Sequence, residues 1–320
     1  MRRLFFIPLF ILVGLSACNK KQDFPDYKYQ TVYFAYQYPV RTIELGEDEN
    51  INTDLDNAHK CQIYAAMGGA YASKSDINIS ITVDNSPLGT GLLFGTGLGN
   101  VVAMPSNYYT LASDKIIIAK GAISGGVNVQ LTDAFFADPN SIKNNYVIPL
   151  KMTSVVGADS ILTNKNFVLY ALKYVNPWHG NYLRRGKDII TGSVNQTLFR
   201  HPLYVEQDEV DMLSTSSMTT IQFPVVYTDN TGNKINVVLL LKIDSITGLC
   251  TITSGTSGVT ASGNGSFVKK GDKISWGGKD RDALFLNYQV GLASMNITTA
   301  DTLVMRDRAV AMETFSPVVK

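Results

Sequence analysis

The strongest constraint on the fold is a strand-like pattern that runs through nearly the whole chain. Short runs of β-branched and aromatic residues alternate with clusters of Gly, Asn, Asp and Ser, a pattern typical of strands and turns. Between Ile235 and Ile243 large apolar residues recur at every second position, so one face of this segment is expected to be buried. Val238 and Leu240 argue against full exposure of the other face. No stretch of about 12 residues or more shows a helical period, so the sequence predicts an all-β protein.

The best candidate for a domain boundary is the segment Tyr174-Val175-Asn176-Pro177. A strand ends there because proline cannot continue it, and Trp178 opens a new segment. We therefore expect a β-sandwich domain over residues 29–175 and a second β domain over residues 176–320. Residues 254–265 are rich in Gly, Ser and Thr, and we expect them to form a mobile loop.

The N-terminus has the pattern of a lipoprotein leader. Two arginines and a short apolar run precede Leu15-Ser16-Ala17-Cys18, the lipobox of bacterial lipoproteins. The apolar run is too short to cross a hydrocarbon core of about 30 Å. The sequence thus predicts a signal peptide over residues 1–17, lipid attachment at Cys18 and a polar lipidated leash over residues 18–28. An ordinary signal peptide followed by an unrelated cysteine is the alternative.

These features predict an outer-membrane lipoprotein of the cell envelope, in either leaflet. Its contact with the membrane would rest on the lipid, since several acyl chains on one cysteine anchor a protein stably. Loss of Arg2 and Arg3 with the signal changes the formal charge from +1 to −1, because lysine and arginine number 28 and aspartate and glutamate 27. A nearly neutral chain without a Lys/Arg cluster has no electrostatic surface for nucleic acid.

Two further cysteines remain after Cys18. Cys61 and Cys250 lie about 190 residues apart, so they are expected in different domains. Buried free thiols are the favoured interpretation, and a bridge between the domains is the alternative.

Several segments of the N-terminal half resemble a family of Bacteroidota lipoproteins known as domain of unknown function 1735. These segments are Thr31-Val32-Tyr33-Phe34, Tyr38-Pro39-Val40-Arg41-Thr42, Val83-Asp84-Asn85-Ser86, Met104-Pro105-Ser106-Asn107-Tyr108-Tyr109 and Tyr146-Val147-Ile148-Pro149-Leu150. The C-terminal half is similar to domain of unknown function 5627, and this similarity begins at Trp178-His179-Gly180-Asn181-Tyr182-Leu183-Arg184-Arg185-Gly186. The resemblance implies an immunoglobulin-like β-sandwich for residues 29–175, which the strand spacing also allows. It further implies a genomic context of outer-membrane glycan uptake, and it supplies no catalytic residues.

For the second domain we favour a lipocalin/calycin-like antiparallel β-barrel. Barrels of this type open with Gly-x-Trp on the first strand and close with an arginine packed over that ring. Here Gly180-Asn181-Tyr182 opens the domain and Arg306-Asp307-Arg308 ends its last clear strand, with Tyr182 in place of tryptophan. A second β-sandwich is the alternative.

Candidate catalytic groups are few. The three histidines, His59, His179 and His201, are far apart in sequence, and no Gly-x-Ser-x-Gly motif is present. Four acidic residues crowd within residues 206–211, but sequence proximity alone does not produce the facing geometry of a glycosidase, and a charged loop is the simpler interpretation. We therefore expect no catalytic residue and no enzyme.

No metal or cofactor is predicted. The spacing of histidines and cysteines does not suit zinc. Oxygen ligands for calcium occur at Glu47-Asp48-Glu49 with Asn50 and Asp54, and at Asp280 with Asp282. Because no EF-hand spacing is present, we interpret both groups as solvated turns.

Aromatic residues beside polar loops are the best signal for a ligand, because sugar rings stack on exposed Trp and Tyr rings. The candidate ligand-binding residues are Trp276, Asp280, Arg281, Asp282, Trp178 and Tyr182. Trp276 precedes a glycine-rich polar loop, whereas Trp178 lies where the end of a barrel would close. For both tryptophans a position in the core is the competing interpretation.

The sequence thus predicts a non-catalytic, lipid-anchored protein that binds a glycan or supports a polysaccharide-uptake complex. Its expected partners are the membrane, a glycan and outer-membrane uptake proteins. The alternatives are a carbohydrate-active hydrolase with catalytic carboxylates and a structural surface protein that mediates protein contacts.

Overall fold

The computed structural model describes residues 29–320, so the predicted signal peptide, Cys18 and the leash lie outside the described residues. The described part of the chain is all-β, as predicted. Its helical segments are short, and none of them is long and apolar enough to cross a membrane. These segments are Asp54–Asn57, Ser86–Thr90, Asp133–Ala137, Pro139–Ile142, Thr163–Lys165, Val205–Gln207 and Trp276–Gly278.

The N-terminal domain is a sandwich of two sheets within the described residues. The first sheet has the order β11-β1-β3-β9-β7, and these strands are β1 (Thr31–Tyr33), β3 (Lys60–Gly68), β7 (Tyr109–Leu111), β9 (Ser124–Leu131) and β11 (Ser160–Ile161). The second sheet has the order β22-β2-β12-β10-β4-β8, with β6 beside β10. Its strands are β2 (Pro39–Glu44), β4 (Ile77–Val83), β6 (Val102–Ala103), β8 (Lys115–Ile118), β10 (Tyr146–Val156), β12 (Phe167–Val175) and β22 (Glu313–Thr314).

Strict alternation of buried and solvent-facing residues builds the core between the two sheets. On β3, Cys61, Ile63, Ala65 and Met67 are buried, and the residues between them face outward. Cys61 is a free thiol whose burial raises its pKa to about 12, and Cys250 is also free and buried. The predicted sandwich and the predicted free thiols are both confirmed.

The second domain is a closed antiparallel barrel. Within residues 180–307, eight strands follow one another in the sheet, and the last strand pairs with the first from Asn181↔Asp307 to Gly192↔Met295. The strands of this sheet, with β14 attached outside the closure, are β13 (Gly180–Gly192), β14 (Gln196–Arg200), β15 (Glu209–Ser217), β16 (Thr220–Thr228), β17 (Lys234–Ile243), β18 (Leu249–Ser254), β19 (Thr260–Asp272), β20 (Arg281–Gly291) and β21 (Met295–Asp307). Closure confirms the predicted barrel, and the alternative of a second sandwich is wrong.

The interior of the barrel follows the predicted period of two. Along β17 the odd-numbered residues from Val237 to Ile243 are buried, while Val238 and Leu240 are half-buried. The prediction of a mobile loop over residues 254–265 is wrong, because residues 260–265 belong to β19. Gly263 and Gly265 face inward there, and a Cβ on either would approach the side chains of Tyr288 and Leu286 to 2.5 Å and 2.7 Å. These glycines therefore make room for larger residues of the next strand.

A buried ionic network lies inside the barrel. The Arg184 Nε donates to Asp301 Oδ2 at 3.0 Å, and its Nη2 donates to the Tyr288 hydroxyl at 3.2 Å. Arg200 of β14 donates to both Asp188 and Asp301, so two arginines neutralise these two acids. Buried charges are tolerated only when they are paired in this way.

The two domains meet at Arg308. Its buried guanidinium donates to the carbonyl oxygens of Leu45 and Glu47 in the sandwich domain at 2.9 Å and 3.0 Å. It also donates to the carbonyl oxygens of Asn176 and His179 at the start of the barrel, both at 2.8 Å. The sequence places Arg308 at the end of the last barrel strand. Its hydrogen bonds show that it fixes the barrel to the sandwich.

The C-terminal tail returns to the first domain, although the predicted range of the barrel domain extends to residue 320. The two-residue strand β22 pairs with β2, and β23 (Val318–Val319) pairs with β5 (Leu92–Leu93). Phe315 is buried against Phe94, with ring centroids 4.6 Å apart. The tail therefore contributes a strand edge and a core side chain to the sandwich.

Glu44 is an isolated carboxylate beside this junction. It is fully buried, neither of its carboxyl oxygens has a hydrogen-bond partner among the described residues, and Arg308 Nη1 lies 3.6 Å away. Burial raises the pKa of Glu44 from 4.5 to about 7, although Arg308 opposes the shift; Asp48 and Asp56 add to it.

The ionic network gives a first prediction. Arg184→Met removes one of the two arginines that neutralise Asp188 and Asp301 and leaves one buried negative charge without a partner, so it should lower the free energy of unfolding by about 3 to 5 kcal/mol. Urea denaturation measures this loss. The control is Arg306→Met, since Arg306 is half-exposed and its pair with Asp307 is long at 3.7 Å, and it should cost less than about 1 kcal/mol. Equal losses for the two variants would contradict a stabilising role of the network.

Glu44 gives a second prediction. Between pH 4.5 and about 7 the folded chain holds a proton on Glu44 that the unfolded chain has lost, so stability should fall as the pH rises. Glu44→Gln removes this pH dependence, because glutamine does not titrate. The free energy of unfolding of the variant minus that of the wild type should therefore rise by up to about 3 kcal/mol between pH 4.5 and about 7.

Denaturation at several pH values measures this difference. The pKa of His179 is lowered to about 4 by burial, and this acts in the opposite direction, but it is common to both proteins and cancels. Glu206→Gln, at an exposed glutamate, is the control. A difference between Glu44→Gln and the wild type that does not change with pH would contradict the assignment.

Candidate functional site

The loop around Trp276 lies at the edge of the domain junction, just before β20. The Arg281 guanidinium stacks on the indole ring with its central carbon 3.9 Å from the ring centroid. The indole N–H donates to the Met305 carbonyl oxygen at 3.4 Å. One face and the only polar atom of Trp276 are therefore already engaged within the protein.

Next to this loop is a cleft of about 330 Å³ between the two domains. Three of the predicted site residues, Asp280, Arg281 and Asp282, line it, whereas Trp276 does not. The opposite wall is residues 47–50, the other group considered for calcium. The fold thus brings together two acidic turns that are about 230 residues apart in the sequence.

The charges of this cleft neutralise one another. Arg281 and Lys279 both approach Glu49, at 2.9 Å and 3.1 Å. Lys269 lies 2.8 Å from Glu47 across the same junction, and Asp280 is paired with a lysine of its own loop. Because most of its charged groups are paired within the protein, and Asp48 and Asp282 accept backbone N–H groups, the cleft is best understood as a polar contact between the domains.

Trp178 and Tyr182 do not belong to any open surface. Trp178 is 4% exposed and Tyr182 is fully buried, and the Tyr182 hydroxyl donates to the Trp178 carbonyl oxygen at 2.8 Å. The Trp178 ring meets Phe267 edge-on in the barrel core. Their proposed role as ligand contacts is inconsistent with this burial, because a sugar ring could not reach either aromatic face.

The histidines are separated and the acidic segment is not a simple loop. His179 accepts a hydrogen bond from the Thr215 backbone N–H at 3.1 Å, and His59 stacks on Phe136 with ring centroids 4.1 Å apart. Asp208 is buried and paired with Arg185 at 2.6 Å, and Asp211 is paired with Arg184. The expectation of a solvated charged loop is therefore wrong for these two acids, because they face arginines of β13.

A second concave surface lies on the outer face of the barrel, with a volume of about 430 Å³. Strand register places Ile189, Thr298, Gln289 and Ser262 in one row across β13, β21, β20 and β19. With strands about 4.8 Å apart, this row is roughly 14 Å long. Asn287 lies beside it and is exposed. We refer to this surface as the barrel groove.

The polar side chains of the barrel groove are free. Across the part of the chain that the structure describes, no hydrogen bond within the protein engages the side chains of Ser262, Asn287 or Gln289. This contrasts with the cleft, where most of the charged groups are paired. Amide and hydroxyl groups that lack internal partners are available for a ligand.

An exposed aromatic ring stands at the rim of the barrel groove. Phe199 of β14 is 72% exposed, and the Lys187 ammonium lies over its ring at 5.3 Å from the centroid. Lys187 also lines the groove. The barrel groove therefore combines neutral hydrogen-bonding groups with an aromatic face.

Sequence reasoning missed the barrel groove. Its polar residues alternate with core residues on β20 and β21. Every half-buried strand has this alternation, so the pattern does not identify a binding surface. Phe199 lies beside Leu198 in an apolar pair that gives no indication of which side chain is exposed. The pairing of β14 with β13 determines which of the two side chains faces solvent.

Metal binding finds no support in the described residues. Within residues 29–320 no three His, Cys, Asp or Glu side chains are grouped so that they could hold a metal ion. Among the acidic residues considered for calcium, Glu47, Glu49 and Asp280 are instead paired with lysine or arginine.

Comparison with protein families identifies the C-terminal domain. The family model described as domain of unknown function 5627 matches residues 177–309, which confirms the resemblance found in the sequence. A second family model, described as an N-terminal domain, matches residues 27–159. The resemblance of this half to domain of unknown function 1735 stays a prediction. No curated protein matches the chain.

Two solved structures have only remote similarity. An auxiliary nutrient binding protein from Bacteroides thetaiotaomicron is 12% identical over 83% of this chain and 90% of its own, with a TM-score of 0.37. A two-domain protein of unknown function from Bacteroides fragilis is 10% identical over 94% and 92%, with a TM-score of 0.33. Neither is similar enough to carry an argument about fold or ligand.

A third structure is much more similar. A protein of unknown function from Bacteroides ovatus is 48% identical, matches 92% of this chain and 100% of its own, and has a TM-score of 0.87. The chain therefore belongs to the same family as this Bacteroides ovatus protein, and its C-terminal domain is a member of domain family 5627.

Proposed function

We propose that this protein is a non-catalytic, lipid-anchored glycan-binding protein of the cell envelope that serves a polysaccharide-uptake system. The observation that carries the proposal is the barrel groove, where unpaired Ser262, Asn287 and Gln289 side chains lie on β19 and β20 and the exposed ring of Phe199 lies next to Lys187 at the opposite end. Sugar C–H faces pack on aromatic rings, and amides and hydroxyls bond the sugar hydroxyls.

The composition of the barrel groove favours a neutral ligand. Its hydrogen-bonding side chains are uncharged except for Lys187, and no carboxylate lines it. A row roughly 14 Å long across four strands is more extended than a single sugar ring, so an oligosaccharide is a better fit than a monosaccharide.

The acids inside the barrel support a structural role rather than catalysis. Asp188 accepts from Arg200 and from the Thr299 hydroxyl, at 2.7 Å for the latter, and Asp301 accepts from both arginines and from Tyr288. A carboxylate that is saturated with donors and paired with arginine is poorly suited to act as a general acid or nucleophile.

Lipid anchoring at Cys18 is part of the proposal and rests on the lipobox, which precedes the described residues. An anchored protein with a polar leash over residues 18–28 would hold its glycan-binding domain near the membrane. Proteins that import the glycan are the partners that such an arrangement would serve.

The groove gives a third prediction. In the soluble chain from residue 29 onward, Phe199→Ala should weaken binding to neutral polysaccharides five- to thirty-fold, the equivalent of about 1 to 2 kcal/mol. Affinity gels that contain starch, galactomannan, xylan or mucin glycans measure this change. Trp276→Ala is the comparison variant and should change binding less than twofold, because Arg281 covers the Trp276 ring.

A larger effect of Trp276→Ala would instead place the site at the cleft between the domains. Binding of the wild-type chain to none of these glycans would contradict the proposed function altogether. Thermal unfolding of both variants checks that neither substitution acts through a loss of the fold.

The anchor gives a fourth prediction. Cys18→Ala should leave an unlipidated precursor, because the thiol that accepts diacylglycerol is absent. Membrane fractionation and the mass of the N-terminal fragment test this in a host that processes lipoproteins. A Cys18→Ala protein that is still cleaved after residue 17 and anchored through lipid would contradict the assignment.

A further inference from the structure

The solvent face of the β11-β1-β3-β9-β7 sheet carries an exposed tyrosine that no internal contact requires. Cys61, Ile63, Ala65 and Met67 of β3 point into the sandwich core, and Tyr64 points outward with 55% of its surface exposed. The ring lies in the middle of a strand rather than in a loop, so its position is fixed by the sheet.

One edge of the Tyr64 ring packs against the neighbouring strand. Its register partner on β9 is Gly126, and a Cβ added to this glycine would lie 3.1 Å from Tyr64 Cε1 and 3.2 Å from Cδ1. The missing side chain lets one edge of the ring rest on the backbone of β9, which is a known way in which an aromatic residue covers a glycine in a sheet. The other side of the ring is left for solvent.

A short chain of hydrogen bonds holds the side chains beside this ring. The Tyr64 hydroxyl donates to Gln62 Oε1, and Gln62 Nε2 donates to Asn128 Oδ1 at 2.6 Å. In residues 29–320 the Asn128 amide NH₂ has no partner within the protein. The ring and both amides are thus ordered before any ligand arrives, which lowers the entropic cost of binding.

The charge of this face favours a neutral, hydroxyl-rich ligand. The outward positions of β1, β3, β7 and β9 hold no aspartate or glutamate, and two lysines lie on or beside these strands. One of these, Lys60, starts β3, and the other, Lys165, lies over the Tyr33 ring at 5.7 Å from its centroid. A face without carboxylates lacks the charged oxygen ligands that a metal ion prefers. An apolar partner would bury the amides without hydrogen bonds, which costs free energy.

We propose that this face, with Tyr64, Gln62 and Asn128 at its centre, is a second glycan-binding surface. Tyr64 supplies the ring on which a sugar packs, and the Gln62 and Asn128 amides bond its hydroxyls. The inference shares the ligand class of the proposed function, but it concerns another domain and does not depend on the barrel groove.

The test uses the soluble chain from residue 29 onward and the same gels of starch, galactomannan, xylan and mucin glycans. In a Phe199→Ala background, residual binding should fall at least fivefold with Tyr64→Ala. Tyr64→Phe keeps the ring and loses only the hydroxyl contact, so it should lose less than twofold. Gly126→Ala keeps Tyr64 and shifts its ring only slightly, so it should weaken binding less than Tyr64→Ala does.

Tyr36→Ala is the matched control, because Tyr36 is exposed to the same degree, at 56%, elsewhere on the same domain. It should leave binding unchanged, and thermal unfolding should show every variant folded. Residual binding that is insensitive to Tyr64→Ala, or lost equally in Tyr36→Ala, overturns the second surface. Binding that depends on Tyr64 but not on Phe199 supports this inference and contradicts the barrel groove, so the two failures are distinguishable.

Discussion

The position of the two domains relative to each other depends on the guanidinium of Arg308. Its planar set of donors bonds four backbone carbonyl groups, two from residues 45 and 47 and two from residues 176 and 179. Backbone carbonyls buried without partners are costly, so the sandwich carbonyls of residues 45 and 47 depend on a side chain from the end of the barrel domain. Gly46 permits this approach, because its φ is +91° and a Cβ there would lie 2.9 Å from the ring of Pro177.

Much of the fold could be predicted because strand periodicity and proline are local signals. The alternation from Ile235 to Ile243 and the stop at Pro177 depend only on neighbouring residues. The strand over residues 260–265 could not be predicted, because Gly263 and Gly265 are favourable there only in relation to Tyr288 and Leu286 on the next strand. The pairing of the C-terminal tail with the first domain is equally non-local, since two-residue strands leave no pattern.

The candidate site was less predictable than the fold, because exposure of an aromatic ring is set by register and by neighbours. The sequence contains 16 tyrosines, and nothing local separates the fully buried Tyr182 from the exposed Tyr64. The Trp276 loop was correctly identified as polar, and two of its acids line a cleft. What the sequence could not show is that charges from a turn about 230 residues away neutralise that loop.

Fixed domains have a consequence for the two ligand surfaces that we propose. A polymer that reaches both surfaces gains most affinity from the second contact when the distance between the surfaces is constant. A flexible joint would allow many distances and so would lower the effective concentration of the second surface. Arg308, the buried Asn176 and the returning tail all oppose such flexibility. A rigid junction is therefore a physical requirement for the proposed binding of one polymer chain at two points.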